Sequence, residues 1–253
     1  LAAPGHQLVE RQSEYGTVVG YKDTPLQPWS EGKFHVHDPD RPVPKYVDPG
    51  PASKQVQAAP TGAIVLFDGD GLEAWQPSSW KVADGSVEAG EGSLTTKEAF
   101  GDVKLHVEWM VPTTPPKHMM SRGNSGVLLM GMYEIQIFDS HPDHDVHIYP
   151  DGQAASIYGQ TPPLVNACRK AGEWQSFDIE FTAPVFEDGK LAKRGRVTVF
   201  HNGVEVHRDQ EIMGPSLHCR VPEAQPHPAK LPLVLQGHGS PVRFRNVWIR
   251  PLE

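Results

Sequence analysis

The sequence predicts an all-β fold, because its composition favours turns and its apolar residues alternate with polar ones. The 253 residues include 25 Pro and 24 Gly, and few long runs of strong helix formers occur. Such a composition is typical of short strands joined by turns. The length suffices for one large β-domain with a substantial core, so a second full domain is not expected.

The chain begins with a segment that cannot form a core of its own. Residues 1–60 are rich in Pro, Gly and charged residues, and they include Arg41-Pro42-Val43-Pro44. They also carry more apolar side chains than a solvated tail would, namely Trp29, Phe34, Val36, Tyr46 and Val47. We therefore expect an extended N-terminal arm that packs on a β-domain formed by residues 61–253.

Strand patterns follow one another from Ile64 onward. Between residues 103 and 109, Val, Leu, Val and Trp alternate with Lys104, His106 and Glu108, and residues 176–181 alternate in the same way. Such strands have one core face and one solvated face. Asn202-Gly203 lies between two alternating segments and predicts a hairpin with a type I′ turn.

The segment from Tyr133 to Asp139 combines a packing face with a chemical one. Glu134 and Gln136 share one face of the predicted strand, and the other face is apolar. A β-bulge near Phe138 would turn Asp139 to the polar side. Two carboxylates and a carboxamide would then line one strand, an arrangement suited to a polar, sugar-like substrate.

The last strands show a similar alternation. Leu231, Leu233 and Leu235 point to one side, and Gln236 and His238 point to the other. We expect one sheet to carry the polar residues of all these strands, which are Glu108, Glu134, Gln136, Asp178, Gln236 and His238. His201 shares the parity of core residues and is interpreted as a hydrogen-bonded histidine at the edge of the core.

Several loop residues are candidates for binding. Arg122 and Asn124 precede a strand beside Ser125-Gly126, so they predict hydrogen bonds to sugar hydroxyls or an ordinary turn. Tyr158 and Gln160 lie in a segment rich in amide and aromatic groups, where Tyr158 either stacks on a pyranose or is structural.

The loop from Ser140 to His147 concentrates three His and two Asp residues. It either binds a divalent metal ion or is a solvated loop, because its spacing matches no defined metal motif. Cys168 and Cys219 show no CxxC spacing, and they form either a disulfide or two buried thiols. No metal site is assigned, and no cofactor is certain.

Charge and motifs exclude several classes of function. The net charge is −8 and the basic residues are scattered, which argues against nucleic acid or an anionic membrane as partner. No apolar run is long enough to span a bilayer. The absence of GxSxG, P-loop, HExxH and GxGxxG motifs excludes the corresponding hydrolases and nucleotide-dependent enzymes. Leu1-Ala2-Ala3-Pro4 is compatible with a cleaved signal peptide, so we expect an exported protein, periplasmic or extracellular.

A set of motifs between about Ile64 and Pro251 resembles the 3-keto-disaccharide hydrolase family. They are Leu66-Phe67-Asp68-Gly69, Gly123-Asn124-Ser125-Gly126, residues 133–139, Asp151-Gly152-Gln153-Ala154-Ala155, Gly172-Glu173-Trp174-Gln175 and Leu235-Gln236-Gly237-His238-Gly239. The resemblance implies a two-sheet, concanavalin-A-like jelly-roll β-sandwich. It also implies a glycoside-cleaving hydrolase or lyase that acts on 3-keto-glycosides, with the keto-sugar supplied by a separate dehydrogenase.

For such a substrate, we expect Glu134, Gln136, Asp139 and His238 near the reaction centre. Glu134 or Asp139 would remove the C2 proton, and His238, Arg122 or Lys230 would stabilise the enolate or protonate the leaving group. Glu108, Asn124, Tyr158, Gln160 and Gln236 are the further candidates for substrate contact. Direct displacement at C1 remains open. The alternatives are a non-catalytic carbohydrate-binding module and, on the basis of the arm, an interaction domain.

Overall fold

The computed structural model describes residues 3–53, 56–114, 116 and 118–252. Within these residues the chain forms nineteen strands and three 3-10 helices of three residues each. In chain order the elements are β1 (Leu8–Ser13), β2 (Gly16–Tyr21), η1 (Pro28–Ser30), β3 (Lys45–Tyr46), β4 (Ile64–Phe67), β5 (Lys81–Ala83), β6 (Ser86–Glu88), β7 (Leu94–Phe100), β8 (Val103–Met110), η2 (Met119–Ser121), β9 (Ser125–Leu129), β10 (Tyr133–Ile137), β11 (Val146–Ile148), η3 (Pro150–Gly152), β12 (Val165–Asn166), β13 (Gln175–Thr182), β14 (Val185–Glu187), β15 (Lys190–Lys193), β16 (Arg196–His201), β17 (Val204–Glu211), β18 (Leu231–Leu235) and β19 (Arg243–Pro251).

Two antiparallel sheets form the predicted all-β sandwich, which is confirmed. The smaller sheet has the strand order β10-β9-β18-β7. The larger sheet has the order β17-β16-β13-β8-β19-β6-β5, and β4 also pairs with β19. No helix in the described part of the chain is long and apolar enough to cross a membrane.

The core lies between the sheets, where their apolar faces meet. Tyr133, Ile135 and Ile137 of β10 are buried in one continuous cluster with Phe177 and Phe181 of β13. The rings of Tyr133 and Phe181 have centroids 5.9 Å apart, so the two sheets pack face to face. The Asn202-Gly203 turn joins β16 and β17, and its φ values of 54° and 80° confirm the predicted type I′ hairpin.

The expectation that one sheet carries all the polar faces is wrong. Glu108 and Asp178 lie on β8 and β13 of the larger sheet, whereas Glu134 and Gln136 lie on β10 of the smaller one. Both sheets turn their apolar faces towards the shared core, so their polar faces point in opposite directions. Alternation shows which face a residue occupies, but it does not show which sheet the strand joins.

The arm is built into the domain by strand pairing. β1 and β2 form a hairpin, β2 pairs in parallel with β11, and β3 pairs in parallel with β12. A second, smaller cluster of buried side chains joins Val19 and Tyr21 of the arm to Phe138, Ile148 and Tyr149. The arm thus buries apolar surface against the loops beside β10.

A buried carboxylate ties the arm to these loops. Asp151 is fully buried in η3. It accepts hydrogen bonds from Gln27 Nε2 and from the backbone N–H of His37, each at 3.0 Å. Its Oδ1 atom lies 3.2 Å from His37 Nδ1, and Arg41 Nη1 lies 3.5 Å from its Oδ2 atom. Three arm residues therefore share one negative charge.

Replacing this carboxylate should loosen the arm. We expect Asp151→Asn to lower the free energy of unfolding by about 3 kcal/mol, because removing one partner of a buried ion pair leaves the others unsatisfied. Urea unfolding and limited proteolysis within residues 3–53 measure the effect. The control is Asp143→Asn, since Asp143 is 63% exposed in a surface pair with Lys170 and should change stability little. Equal effects of the two substitutions would contradict this role of Asp151.

Candidate active site

A polar cleft of about 480 Å³ opens on the outer face of the smaller sheet. Six of the residues proposed from the sequence line it, namely Asn124, Glu134, Gln136, Tyr158, Gln236 and His238. Glu134 and Gln136 come from β10, Gln236 and His238 follow β18, and Asn124 precedes β9. These strands are neighbours in the sheet order β10-β9-β18, so they bring five of the six residues together, and Tyr158 joins them from the segment that runs along the edge of β10.

Glu134 lies over a glycine of the neighbouring strand. A Cβ atom at Gly126 would stand 2.3 Å from Glu134 Oε1, so a larger residue there would displace the carboxyl group. The backbone N–H of Glu134 donates to Ser216 Oγ at 3.0 Å. With its amide in the orientation that satisfies its neighbours, Gln136 Nε2 donates to Glu134 Oε1 and to the carbonyl of Ser125, both at 2.9 Å.

The edge of β10 is covered, which removes Glu134 from water. The segment 155–158 runs along this edge, and the backbone N–H of Tyr158 donates to the carbonyl of Glu134 at 3.1 Å. Burial raises the pKa of Glu134 to about 8, because a charged carboxylate is poorly solvated there. None of the described residues that line the cleft is Lys or Arg. The carboxyl group is therefore poised to change its charge near neutral pH.

One wall of the cleft consists of residues that the sequence analysis did not identify. Tyr158 Oη lies 2.7 Å from His218 Nδ1 and 3.1 Å from Tyr149 Oη. Burial raises the pKa of both tyrosines well above the usual value. Partial desolvation and the neighbouring His37 lower the pKa of His218 to about 4, although part of the His218 side chain is exposed to solvent. At neutral pH this wall offers uncharged hydrogen-bonding groups.

His118 and Ser216 also line the cleft without having been predicted. These residues and His218 come from connecting segments, which show no strand periodicity. In the sequence, the adjacent residues His218 and Cys219 could have indicated this part of the site.

Asp139 and Arg122 lie outside this cleft. Phe138 lines the cleft together with Glu134 and Gln136, so the alternation continues without the expected bulge. Asp139 therefore points elsewhere, into a neighbouring cavity of about 340 Å³ that Arg122 and His144 also line. Its carboxylate lies 2.9 Å from His144 Nε2. The expected alignment of Asp139 with Glu134 and Gln136 is wrong.

Gln160 and Lys230 are also placed away from the cleft. Gln160 is buried, donates to the carbonyl of Gly214 at 2.9 Å and accepts from the N–H of Met213 at 2.7 Å, so it fixes a loop. Lys230 is exposed and precedes β18, whereas Gln236 follows that strand. The rise of a strand separates these two ends by roughly 20 Å.

Glu108 belongs to a separate cavity of about 680 Å³ on the larger sheet. Burial alone would raise its pKa, but the His106 imidazole 3.6 Å away and hydrogen bonds from Asn246 and Arg245 lower it to about 2. Asp178 Oδ1 lies 2.7 Å from His106 Nδ1. Burial alone would lower the pKa of His106, but Asp178 raises it to about 9. The positive and negative groups of the cavity therefore neutralise one another. This network is structural, and no group in it resembles a poised base.

The histidine-rich loop does not gather its ligand atoms around one point. His144 contacts Asp139, whereas Asp143 is paired with Lys170 at 2.7 Å. The rings of His144 and His147 are 6.5 Å apart. Among the described residues, the group of three ligands that does converge is His37, His218 and Cys219, which adjoins the cleft through His218.

The two cysteines are free and buried, so no disulfide joins them. Cys168 belongs to the core between the sheets and Cys219 to the smaller cluster beneath the arm. His201 is buried, and its Nε2 atom lies 2.9 Å from Gln175 Oε1, in agreement with its interpretation as a hydrogen-bonded core histidine.

Comparisons with known proteins agree with this architecture. Residues 62–250 match the model of the 3-keto-alpha-glucoside-1,2-lyase-like domain. The crystal structure of a putative glycosyl hydrolase from Parabacteroides distasonis is 42% identical over 77% of this chain and 85% of that chain, with a TM-score of 0.72. Another putative glycosyl hydrolase of that organism is 24% identical over 75% of this chain and 99% of that chain, has a TM-score of 0.52, and supports the fold alone. No match was found among curated proteins.

The raised pKa of Glu134 predicts a pH-dependent stability. Between the ordinary pKa of 4.5 and about 8, the folded chain keeps a proton that the unfolded chain releases. The free energy of unfolding should therefore fall as pH rises through this range. Since one pKa unit corresponds to about 1.4 kcal/mol, we expect Glu134→Gln to be more stable than the wild type by on the order of 2–4 kcal/mol at about pH 9, and less so at about pH 5.

Urea unfolding at the two pH values measures this difference. Glu180→Gln is the control, because Glu180 is 53% exposed in a surface pair with Lys104 and should show no such pH dependence. If Glu134→Gln is equally destabilised at both pH values, ionisation of the buried carboxyl group does not lower the free energy of unfolding, and the prediction is wrong.

Proposed function

The chain belongs to the 3-keto-alpha-glucoside-1,2-lyase-like family, and we propose that it cleaves glucosides already oxidised to a ketone at C3, with Glu134 as the catalytic base. One observation carries this proposal: a carboxyl group with a pKa of about 8 lies in a polar cleft of about 480 Å³. A carboxylate in such a site is a stronger base than an ordinary one, and its pKa is close to the pH at which it works.

The chemistry follows from the carbonyl at C3, which makes the hydrogen on C2 acidic. Glu134 takes this proton, and the C2–H electron pair forms an enolate with the C3 oxygen. The enolate then collapses, a C1–C2 double bond forms, the C1–O bond breaks, and the leaving oxygen accepts a proton. The product is an unsaturated keto-sugar, and addition of water across C1 and C2 completes a net hydrolysis.

Enolate formation needs hydrogen-bond donors beside the C3 oxygen. The side chains of Asn124, Gln236 and His238 lie in the cleft and are suited to this role. His238 stands between two glycines and is exposed to the cleft. Gln136 touches the base itself, because its amide donates to Glu134 Oε1, so it positions the carboxyl group.

We assign to Tyr158 the protonation of the leaving oxygen. Its hydroxyl lines the cleft and stays protonated, because burial raises its pKa. His218 Nδ1 lies 2.7 Å from this hydroxyl and orients it. Asp139, Arg122 and Lys230 take no part in this scheme, since they lie outside the cleft.

The ketone has to come from another enzyme. The sequence contains no GxGxxG motif in a strand-helix setting, so a separate dehydrogenase is proposed to oxidise C3 before this chain acts.

The proposal predicts cleavage of a 3-keto-glucoside and no cleavage of the same glucoside with an intact C3 hydroxyl. We expect Glu134→Gln to lower kcat on the keto substrate by about 10²–10⁴, the usual contribution of a positioned base. Asp139→Asn is the matched control and should retain activity within about tenfold. Release of the aglycone from both substrates measures the effect. Binding of both substrates without turnover would instead indicate a carbohydrate-binding module.

The assignment of Glu134 as base rather than acid predicts the direction of the pH profile. Because only the ionised form removes a proton, kcat/KM on the keto substrate should rise about tenfold per pH unit and level off above about pH 8. The residual activity of Glu134→Gln should lack this inflection. A kcat/KM that instead falls above about pH 8 would assign Glu134 as the acid that protonates the leaving group.

A further inference from the structure

Three metal-ligating side chains meet where the arm joins the wall of the cleft. His37 belongs to the arm, and His218 and Cys219 are consecutive residues of the segment between β17 and β18. One ligand atom from each lies within 4.8 Å of the other two. We propose that His37, His218 and Cys219 bind a divalent transition-metal ion of the zinc type.

His37 is held as a metal-binding histidine usually is. Its ring is fully buried and stacks on Tyr149, with centroids 4.0 Å apart and planes at 27°. Asp151 Oδ1 lies 3.2 Å from Nδ1, which places the proton of the neutral ring on Nδ1. The lone pair of Nε2 is then free on the opposite side. A carboxylate behind the non-ligating nitrogen is a common way to orient an imidazole ligand.

The free nitrogen of His37 faces a second imidazole. His37 Nε2 lies 3.2 Å from His218 Nδ1. Two ring nitrogens at this separation cannot both direct a lone pair at each other without a proton or a cation between them. A metal ion with nitrogen ligands at about 2.0–2.1 Å would satisfy both lone pairs after a small movement of the rings.

The third ligand is a thiol with no disulfide partner. Cys219 is buried and free, and its φ of 57° is a left-handed conformation that non-glycine residues seldom adopt. His37 has a φ of 62°. Such conformations persist where the surrounding structure holds the residue in place.

The set of ligands points to the metal. Imidazole and thiolate are both zinc ligands, and three protein ligands leave a fourth position open; two imidazoles with one thiolate are also a copper-binding set. The thiol proton of Cys219 leaves to solvent when the ion binds, because the thiolate is the ligand. Tyr158 Oη lies 2.7 Å from His218 Nδ1, so an ion bound to that nitrogen would replace this hydrogen bond and would adjoin the cleft wall.

The proposed metal site takes one ligand from the arm and two from the β-domain. His37 lies outside residues 62–250, which the family model matches. The inference does not rest on the proposed activity, because the metal can be measured without any substrate.

The test uses the whole chain, stripped with a chelator, kept reduced and titrated with Co²⁺ alone. We expect one Co²⁺ per chain, a thiolate-to-cobalt charge-transfer band and the visible bands of a four-coordinate ion, all displaced by Zn²⁺. Cys219→Ser should abolish the charge-transfer band. Cys168→Ser is the matched control, since Cys168 is also buried and free, and it should keep the band.

A second variant separates loss of a ligand from loss of folding. His218 is exposed, so His218→Gln should leave the circular dichroism spectrum unchanged and weaken Co²⁺ binding at least tenfold. Three results would overturn the proposal: no charge-transfer band in the wild type, a band that persists in Cys219→Ser, or unchanged affinity in a folded His218→Gln variant.

Discussion

The buried carboxylate of Asp151 is the interaction on which the cleft depends. It lies in η3, two residues after Tyr149 of the cleft wall, and it binds Gln27, His37 and Arg41 of the arm. By fixing His37, it also fixes the imidazole that contacts His218, and His218 in turn contacts Tyr158. One charge thus connects a segment near the start of the chain with the groups that face the substrate. None of the described arm residues lines the cleft, but His37 of the arm supports the cleft wall through its contact with His218.

The two sheets use the same residue type in opposite ways. Glu108 and Glu134 are both largely buried on outward-facing positions of strands. Glu108 receives hydrogen bonds from Arg245 and Asn246, and its pKa falls to about 2, whereas burial of Glu134 without a cation raises its pKa to about 8. A carboxylate with a compensating charge contributes to structure, and one without it stores the free energy that makes it a base. The functional difference therefore comes from the neighbours of each residue rather than from its burial.

Local pattern explains which parts of this structure could be predicted from the sequence. Alternation identified the faces of β8, β10 and β13, and the Asn202-Gly203 turn identified the β16-β17 hairpin, because both depend on backbone geometry over a few residues. The predicted positions of Glu108 and Lys230 in the site were wrong, because periodicity does not show which sheet a strand joins or at which end of a strand a residue lies. The predicted position of Asp139 was wrong because a bulge was assumed, whereas Phe138, directly after β10, keeps the alternation and faces the cleft. His218 was missed because it reaches the cleft through long-range contacts with His37 and Tyr158.

The central claim is that Glu134 breaks the C2–H bond of a 3-keto-glucoside. The most direct measurement compares the rate of cleavage of this substrate with hydrogen and with deuterium at C2, at a pH where Glu134 is ionised. The elimination account predicts markedly slower cleavage of the deuterated substrate, and exchange of the C2 hydrogen with solvent in any substrate that returns from the enolate. Equal rates for the two substrates, with no exchange, would contradict it and would favour direct displacement at C1.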